Sequence, residues 1–352
     1  MIAPASRSRW HRARVALYAG GCTVALAGSA VLAGAAPAGA AAAAAAQPTY
    51  LYVANSNANT VTEYDIATST VVGTFAAGSS PVAVAVTPDG SQLYVADAGS
   101  NQVLVVNTAT NAVAGTIAVG ELPASIAFSP NGKKAYVLNR NSQSISVINT
   151  TTMKVTTSYS LTSAEGTSYG NDLAITPDGD QAFLTLQDGT VIVVNLATGQ
   201  VVNTVTLGYF SWAAVVSPNG KDVYATYLPT IYSPGWVAEI STATDKVVHK
   251  ITTNGPSPGS VAITPNGKYV YTADFSDNMA DVITTASNAV TGVVDLPSGS
   301  YPVAVAADND FLFTANYDSS SVSQYDIPEN YQPEGSFPAG NGPDALAFVP
   351  AG

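Results

Sequence analysis

Side chains able to carry out acid–base or nucleophilic chemistry are scarce in this chain. Beyond residue 46 there is no cysteine and a single histidine, His249. It sits in Lys246-Val247-Val248-His249-Lys250, a stretch that reads as an outermost strand with a solvated side chain. A catalytic triad needs nucleophile, base and orienting acid within mutual hydrogen-bond reach, and no such set can be assembled around His249. No histidine-based metal spacing is present either. Chemistry would have to rest on carboxylates, and Asp172 and Asp344, which open equivalent strands of a repeat, are candidates to meet near a central channel. This assigns no catalytic residue, no metal ligand and no cofactor, and it favours a non-catalytic role. The alternative is a hydrolase using axial carboxylates and a divalent metal.

Binding is better provided for. Two loop insertions, Thr162 to Asn171 and Tyr227 to Gly235, gather Tyr169, Tyr227, Tyr232 and Trp236, and nearby corners add Tyr209, Phe210, Trp212 and Tyr301. Aromatic rings beside a few polar groups suit a sugar, a peptide or another flat polar ligand. The candidate ligand-binding set is Arg140, Tyr169, Asp172, Tyr209, Trp212, Tyr232, Trp236, Tyr301 and Asp344. The competing reading is that these rings plug a channel mouth or pack loops together. Asp274-Phe275-Ser276-Asp277-Asn278 and Asn316-Tyr317-Asp318 carry oxygen ligands but lack calcium-loop spacing, so their Asn and Asp are expected to cap turns.

These residues are placed by a repeat. One aromatic position recurs as Tyr52, Tyr94, Tyr136, Phe183, Tyr224, Tyr271 and Phe313, in steps of 42, 42, 47, 41, 47 and 42 residues. The two insertions account for the steps of 47. Each copy shows four short runs of alternating β-branched and small residues bounded by Gly, Pro, Asn and Asp, the pattern of strands. In the first copy these are Leu51 to Asn55, Thr60 to Ile66, Val71 to Phe75 and, past a Gly-x-x-Pro corner, Val82 to Thr87. Tight turns follow, such as Pro88-Asp89-Gly90 and Pro130-Asn131-Gly132, where Pro presets φ and Gly takes the positive φ that closes a hairpin. A sixth copy has Asp308-Asn309-Asp310, a weaker version of the same corner. The strand before the turn carries Ala at its middle position in six of seven copies, as an innermost strand must where blades converge on an axis. The expectation is an all-β, seven-bladed propeller of four-stranded blades. Residues 344–349 should pair with the strand at Tyr52 and close the ring as a three-plus-one blade, leaving no long edge unpaired.

The segments Tyr52-Val53-Ala54-Asn55, Tyr94-Val95-Ala96-Asp97, Tyr136-Val137-Leu138-Asn139 and Phe313-Thr314-Ala315-Asn316, joined through Pro-Asp/Asn-Gly turns, resemble the YVTN family of β-propeller repeats. The resemblance covers nearly everything after Tyr50. Copies four and five depart from it, with Phe183-Leu184-Thr185-Leu186 and Tyr224-Ala225-Thr226-Tyr227. It implies a seven-bladed ring on an extracytoplasmic or surface protein and transfers no catalytic motif. Lactonase-type and streptogramin-lyase-type propellers are similar in fold and weakly in repeat, which is a poor warrant for function.

Residues 1–46 read as a separate unit before a propeller of residues 47–352. Arg7, Arg9, Arg12 and Arg14 precede an apolar Ala/Gly-rich run from Val15, with Ala38-Gly39-Ala40 as a small-residue cleavage region, the marks of a secretory signal peptide. Gly20, Gly21, Gly28, Gly34 and Pro37 interrupt the run and argue against a retained membrane span. Cys22, in Ala19-Gly20-Gly21-Cys22, only faintly matches a lipoprotein cleavage box. Cleavage removes four Arg and leaves eight basic residues against 24 acidic ones, moving the formal charge from −12 to −16. Arg140 is then the single Arg beside seven Lys, too few cations to hold a phosphate backbone. The expectation is an exported, acidic, monomeric protein, extracellular or at the cell surface. Nucleic acid and membrane insertion are excluded, and the partner is an unknown small molecule, glycan or protein at the loop-rich face.

Overall fold

In a strand, successive side chains point to opposite faces, so an alternating run can bury both faces only where sheets stack against sheets. The computed structural model describes residues 50–161, 168–230, 234–327 and 330–349, and it shows that solution. Seven four-stranded antiparallel sheets are formed, and no helix occurs among the described residues. The segment 1–46 and Tyr232 lie outside the described residues.

Blade one contains Tyr50–Asn55, Thr60–Asp65 and Thr70–Ala76, and its inner strand is Pro343–Phe348 from the other end of the chain. Leu51 faces Phe348 and Val53 faces Leu346 in that antiparallel pair, so the ring closes three-plus-one as expected. Blades two to seven each begin with their own inner strand: Pro81–Val86, Pro123–Phe128, Gly170–Ile175, Phe210–Val216, Pro258–Ile263 and Pro302–Ala307. All-β, seven-bladed and four strands per blade, the architecture is the one the periodicity implies.

There is no single core. The buried apolar residues fall into seven clusters, and each draws on two neighbouring blades. The recurring aromatic anchors these seams, with Tyr52, Tyr94, Phe183, Tyr271 and Phe313 fully buried. Burying a phenol requires a partner for its hydroxyl. Tyr52 Oη donates to Glu63 Oε1 at 3.0 Å, while Asn111 of the next blade donates to Glu63 Oε2 at 2.5 Å. A related cluster lies within blade five at its seam with blade six, where Tyr224 donates to Glu239 at 3.3 Å and His249 Nδ1 lies 2.5 Å from the other carboxylate oxygen. His249 is on the outer strand Lys246–Thr252 and its side chain is 57% exposed, as expected, but it is tied into a seam rather than free. Asn288 Nδ2 approaches its ring at 3.0 Å. The buried carboxylates of Glu63 and Glu239 are not evident from composition. Their signal is a Glu placed opposite the anchor Tyr in the alternation of the third strand.

On one face of the ring, the inner-to-second turns use a shared device. Thr87 Oγ1 donates to Asp89 and accepts from the Gln92 amide, and Thr176 does the same with Asp178 and Gln181. Blade seven differs more than a weaker corner would. Asp308 stands where the turns of blades two to six have Ser or Thr, and it closes on Phe311 rather than five residues ahead, so the turn is two residues shorter. Its Oδ1 accepts from the amides of Asp310 and Phe311, and burial pushes the carboxyl up to about 6.

Candidate functional site

The other face carries the second-to-third loops and the loops that lead from one blade into the next. They are bonded together, as shown by Ala77 N to Asn59 O at 3.0 Å and Ser56 N to Gly342 O at 2.7 Å. The Asn or Asp that ends the second strand is the clamp. Asp97 accepts from Ser79 N at 2.7 Å, Asn139 from Gly120 N at 3.1 Å, Asp274 from Ser257 N at 2.6 Å and Asn55 from Gly340 N at 3.0 Å. The same Asp274 also accepts from the amides of Ser276 and Asp277, so this run is a capped turn. Each clamp occupies the volume beside the corner glycine: a Cβ on Gly78 would fall 2.0 Å from Asp97 Oδ2. That close approach explains why the Asn/Asp and the Gly of Gly-x-x-Pro occur together.

On this scaffold an arc of aromatic rings crosses blades five, six and seven. Phe210 and Trp212 have centroids 4.8 Å apart, Trp212 and Phe275 5.9 Å, Phe275 and Tyr301 5.4 Å, and Tyr301 and Tyr317 6.4 Å. Asn57 of blade one extends it, donating from Nδ2 to the Tyr317 hydroxyl at 2.8 Å. Phe275 lies over Gly259 of the blade-six inner strand, where a Cβ would come within 2.8 Å of the ring. Tyr301 has a left-handed backbone, φ 47°, held by Asn278 Oδ1 accepting from its amide at 3.0 Å, and the residue is 38% exposed.

Trp212 and Tyr301 therefore belong to this arc, and Tyr209 is exposed beside it, its amide bonded to Leu228 O. Arg140 and Tyr169 come together elsewhere, at the blade three to four corner. Burial lowers the guanidinium's affinity for its proton, the neighbouring Tyr169 opposes that, and among the described residues no ion pair engages Arg140. Trp236 does not join the arc. It packs edge-on against Tyr227 at 6.1 Å, within the seam between blades four and five. Tyr227 is not a loop residue but a fully buried one in the strand Asp222–Leu228, where it takes the place of the clamping Asn or Asp.

The two inner-strand carboxylates have separate surroundings, and among the described residues no contact joins them. Asp172 Oδ1 accepts from Ser125 Oγ at 2.8 Å, in blade three, and its Oδ2 accepts from Ala214 N at 3.1 Å, in blade five. Burial pushes Asp172 up to about 6 against the pull of these bonds. Asp344 opens the inner strand of blade one, is 5% exposed, and is pushed by burial up to about 7, with the Ser56 hydroxyl opposing the shift. Among the described residues no three His, Cys, Asp or Glu side chains form a metal-binding group.

Phe275 and Tyr317 were not singled out from sequence as site residues, yet their signal is there. Aligned on the Tyr52 position, Arg140, Phe275 and Tyr317 are one repeat position, the first after the second strand. Tyr169, Phe210 and Tyr301 are another, the last before the inner strand proper.

A family model described as the Choice-of-anchor I domain matches residues 36–226. The chain belongs to that family. The match covers the first four blades and runs into blade five, so a choice-of-anchor I sequence can close as a full seven-bladed ring in this chain. Among solved structures the chain is similar to hydrazine synthase of Kuenenia stuttgartiensis, with a TM-score of 0.69 at 24% identity over 84% of this chain and 99% of that one. This likeness bears on the fold alone. A search of curated proteins finds no match.

Proposed function

We propose that the protein is an extracellular or cell-surface propeller of YVTN-repeat type that binds a ligand across its loop face and does no chemistry on it. The observation that carries this reading is the arc from Phe210 to Tyr317, rings at the surface of three blades that are fixed by their mutual packing, by the Asp274 clamp on Ser257 and by Asn278 accepting from the Tyr301 amide. Preformed aromatic surface binds at small ordering cost. The choice-of-anchor family description and the signal-peptide character of residues 1–46 support a location outside the cytoplasm.

One observation favours a second reading, a lactonase-like hydrolase: Asp344 sits at the inner-strand opening with its carboxyl near the range of a general base. Thermal-shift screening of the purified protein against glycans, peptides and lactones separates the two. Stabilisation by a glycan or peptide supports binding. Lactone turnover that is lost with a chelator and in Asp344→Asn overturns it in favour of the hydrolase.

A further inference from the structure

We infer that the ligand of the loop face is a neutral polysaccharide lying along the rings from Trp212 to Tyr317. This rests on the binding reading above and adds the class of ligand. Pyranose rings present apolar C–H faces that pack on aromatic rings while their hydroxyls seek donors and acceptors at the rim. From Trp212 to Tyr317 the centroid steps are 5.4 to 6.4 Å, on the scale of one sugar residue along a glycan, with successive rings inclined by 44° to 77° so that the chain would twist as it crosses them. Asp277 and Asp318, two and one residues past Phe275 and Tyr317, are exposed, and a carboxylate is an acceptor for sugar hydroxyls.

Charge argues for a neutral chain. None of the seven lysines is on the loop face: Lys133, Lys134, Lys154, Lys221, Lys246 and Lys268 lie at turns or strand ends of the opposite face, and Lys250 lies within an outer strand. Arg140 is the one cation of the described loops on this face, and it stands apart from the arc, while Glu121, Asp188, Asp277 and Asp318 are exposed there. A polyanion needs clustered cations and would meet repulsion instead. A peptide is disfavoured on other grounds. Extended peptides gain affinity by pairing with a free strand edge, whereas the backbone at these loops is already paired, Ala98 N with Ser80 O and Arg140 N with Leu122 O among others.

The test uses the full chain carrying Trp10→Phe and Trp236→Phe, which leaves Trp212 as the only tryptophan. Its emission is followed while cellohexaose, chitohexaose, mannohexaose, hexagalacturonate and a pool of short peptides are added separately. A neutral hexasaccharide is expected to give a saturable change that persists in high salt. Phe275→Ala and Tyr301→Ala should each weaken it by about three- to tenfold with the unfolding temperature little changed. Should either alanine variant fail to fold, Phe275→Leu, which keeps apolar packing over Gly259, is expected to weaken binding in the same direction. A response to hexagalacturonate or peptides with none to the neutral sugars overturns the ligand class and leaves the binding reading standing. No response to any probe overturns both.

Discussion

Asp172 and Ala214 are joined by a 3.1 Å hydrogen bond from the Ala214 amide to Oδ2, and because Ser125 donates to the other oxygen, one carboxylate ties the inner strands of three consecutive blades. The inner strand is the edge of its sheet, so its outward amides must find partners outside the ladder. A related bond joins blades six and seven, where Ser260 Oγ accepts from Val305 N at 3.2 Å.

This role predicts a particular pattern of substitution. Asp172→Asn can still accept from Ala214 and donate to Ser125, so it should leave stability within ~1 kcal/mol of the parent. Asp172→Ala orphans both groups and should cost about 2–4 kcal/mol. Urea unfolding of the two variants checks this, and an Asn variant as damaged as the Ala one would refute the bridging role.

Acidity should stabilise the protein. Asp172 and Asp308 are pushed up to about 6 and Asp344 to about 7. The folded state therefore binds their protons more tightly than the unfolded chain, for which Asp titrates near 4. Their contribution is fully present below pH ~4 and is lost as pH rises through 6 to 7. The melting temperature should fall between pH 5 and pH 8. Asp344→Asn should flatten that fall by an amount on the order of 2–4 kcal/mol. An unchanged slope in the variant would show that Asp344 is not the titrating group.

Ring closure gives a third expectation. Removing residues 343–352 deletes the inner strand of blade one and exposes Leu51, Val53 and their seam partners. The melting temperature should drop by at least ~10 °C, well beyond the effect of trimming a tail. A melting curve that did not move would mean that the strand contributes nothing to closure.

The seam between blades one and two can be measured by a double-mutant cycle. Tyr52→Phe removes the donor and Glu63→Gln the charge, and Asn111 contacts the same carboxylate. A coupling of roughly 1–2 kcal/mol is expected for a buried charged hydrogen bond. Additive effects would assign the trio no cooperative role.

The ring, its count of blades and its closing strand could be read before any coordinates because each repeat states them locally: Pro and Gly fix the turns, and Ala fills the crowded inner strand. Such local rules act within a copy. The arc was only partly legible because its rings belong to different copies, brought together by the curvature of the ring. Trp212 and Tyr301 could be picked out as loop aromatics, whereas Phe275 looked like part of a turn. Tyr227 misled for the opposite reason, since a Tyr at a clamp position is pulled into the seam by its apolar area. Asp172 could be placed on an inner strand from its repeat position, but the amide of Ala214 claims its oxygen, a demand that sequence does not show.

The one-sided distribution of lysines has a practical consequence. Amine-reactive coupling to a bead or sensor chip acts on the turns and outer strands of the propeller, so the molecules are held by the lysine-bearing side with the aromatic arc directed toward the analyte.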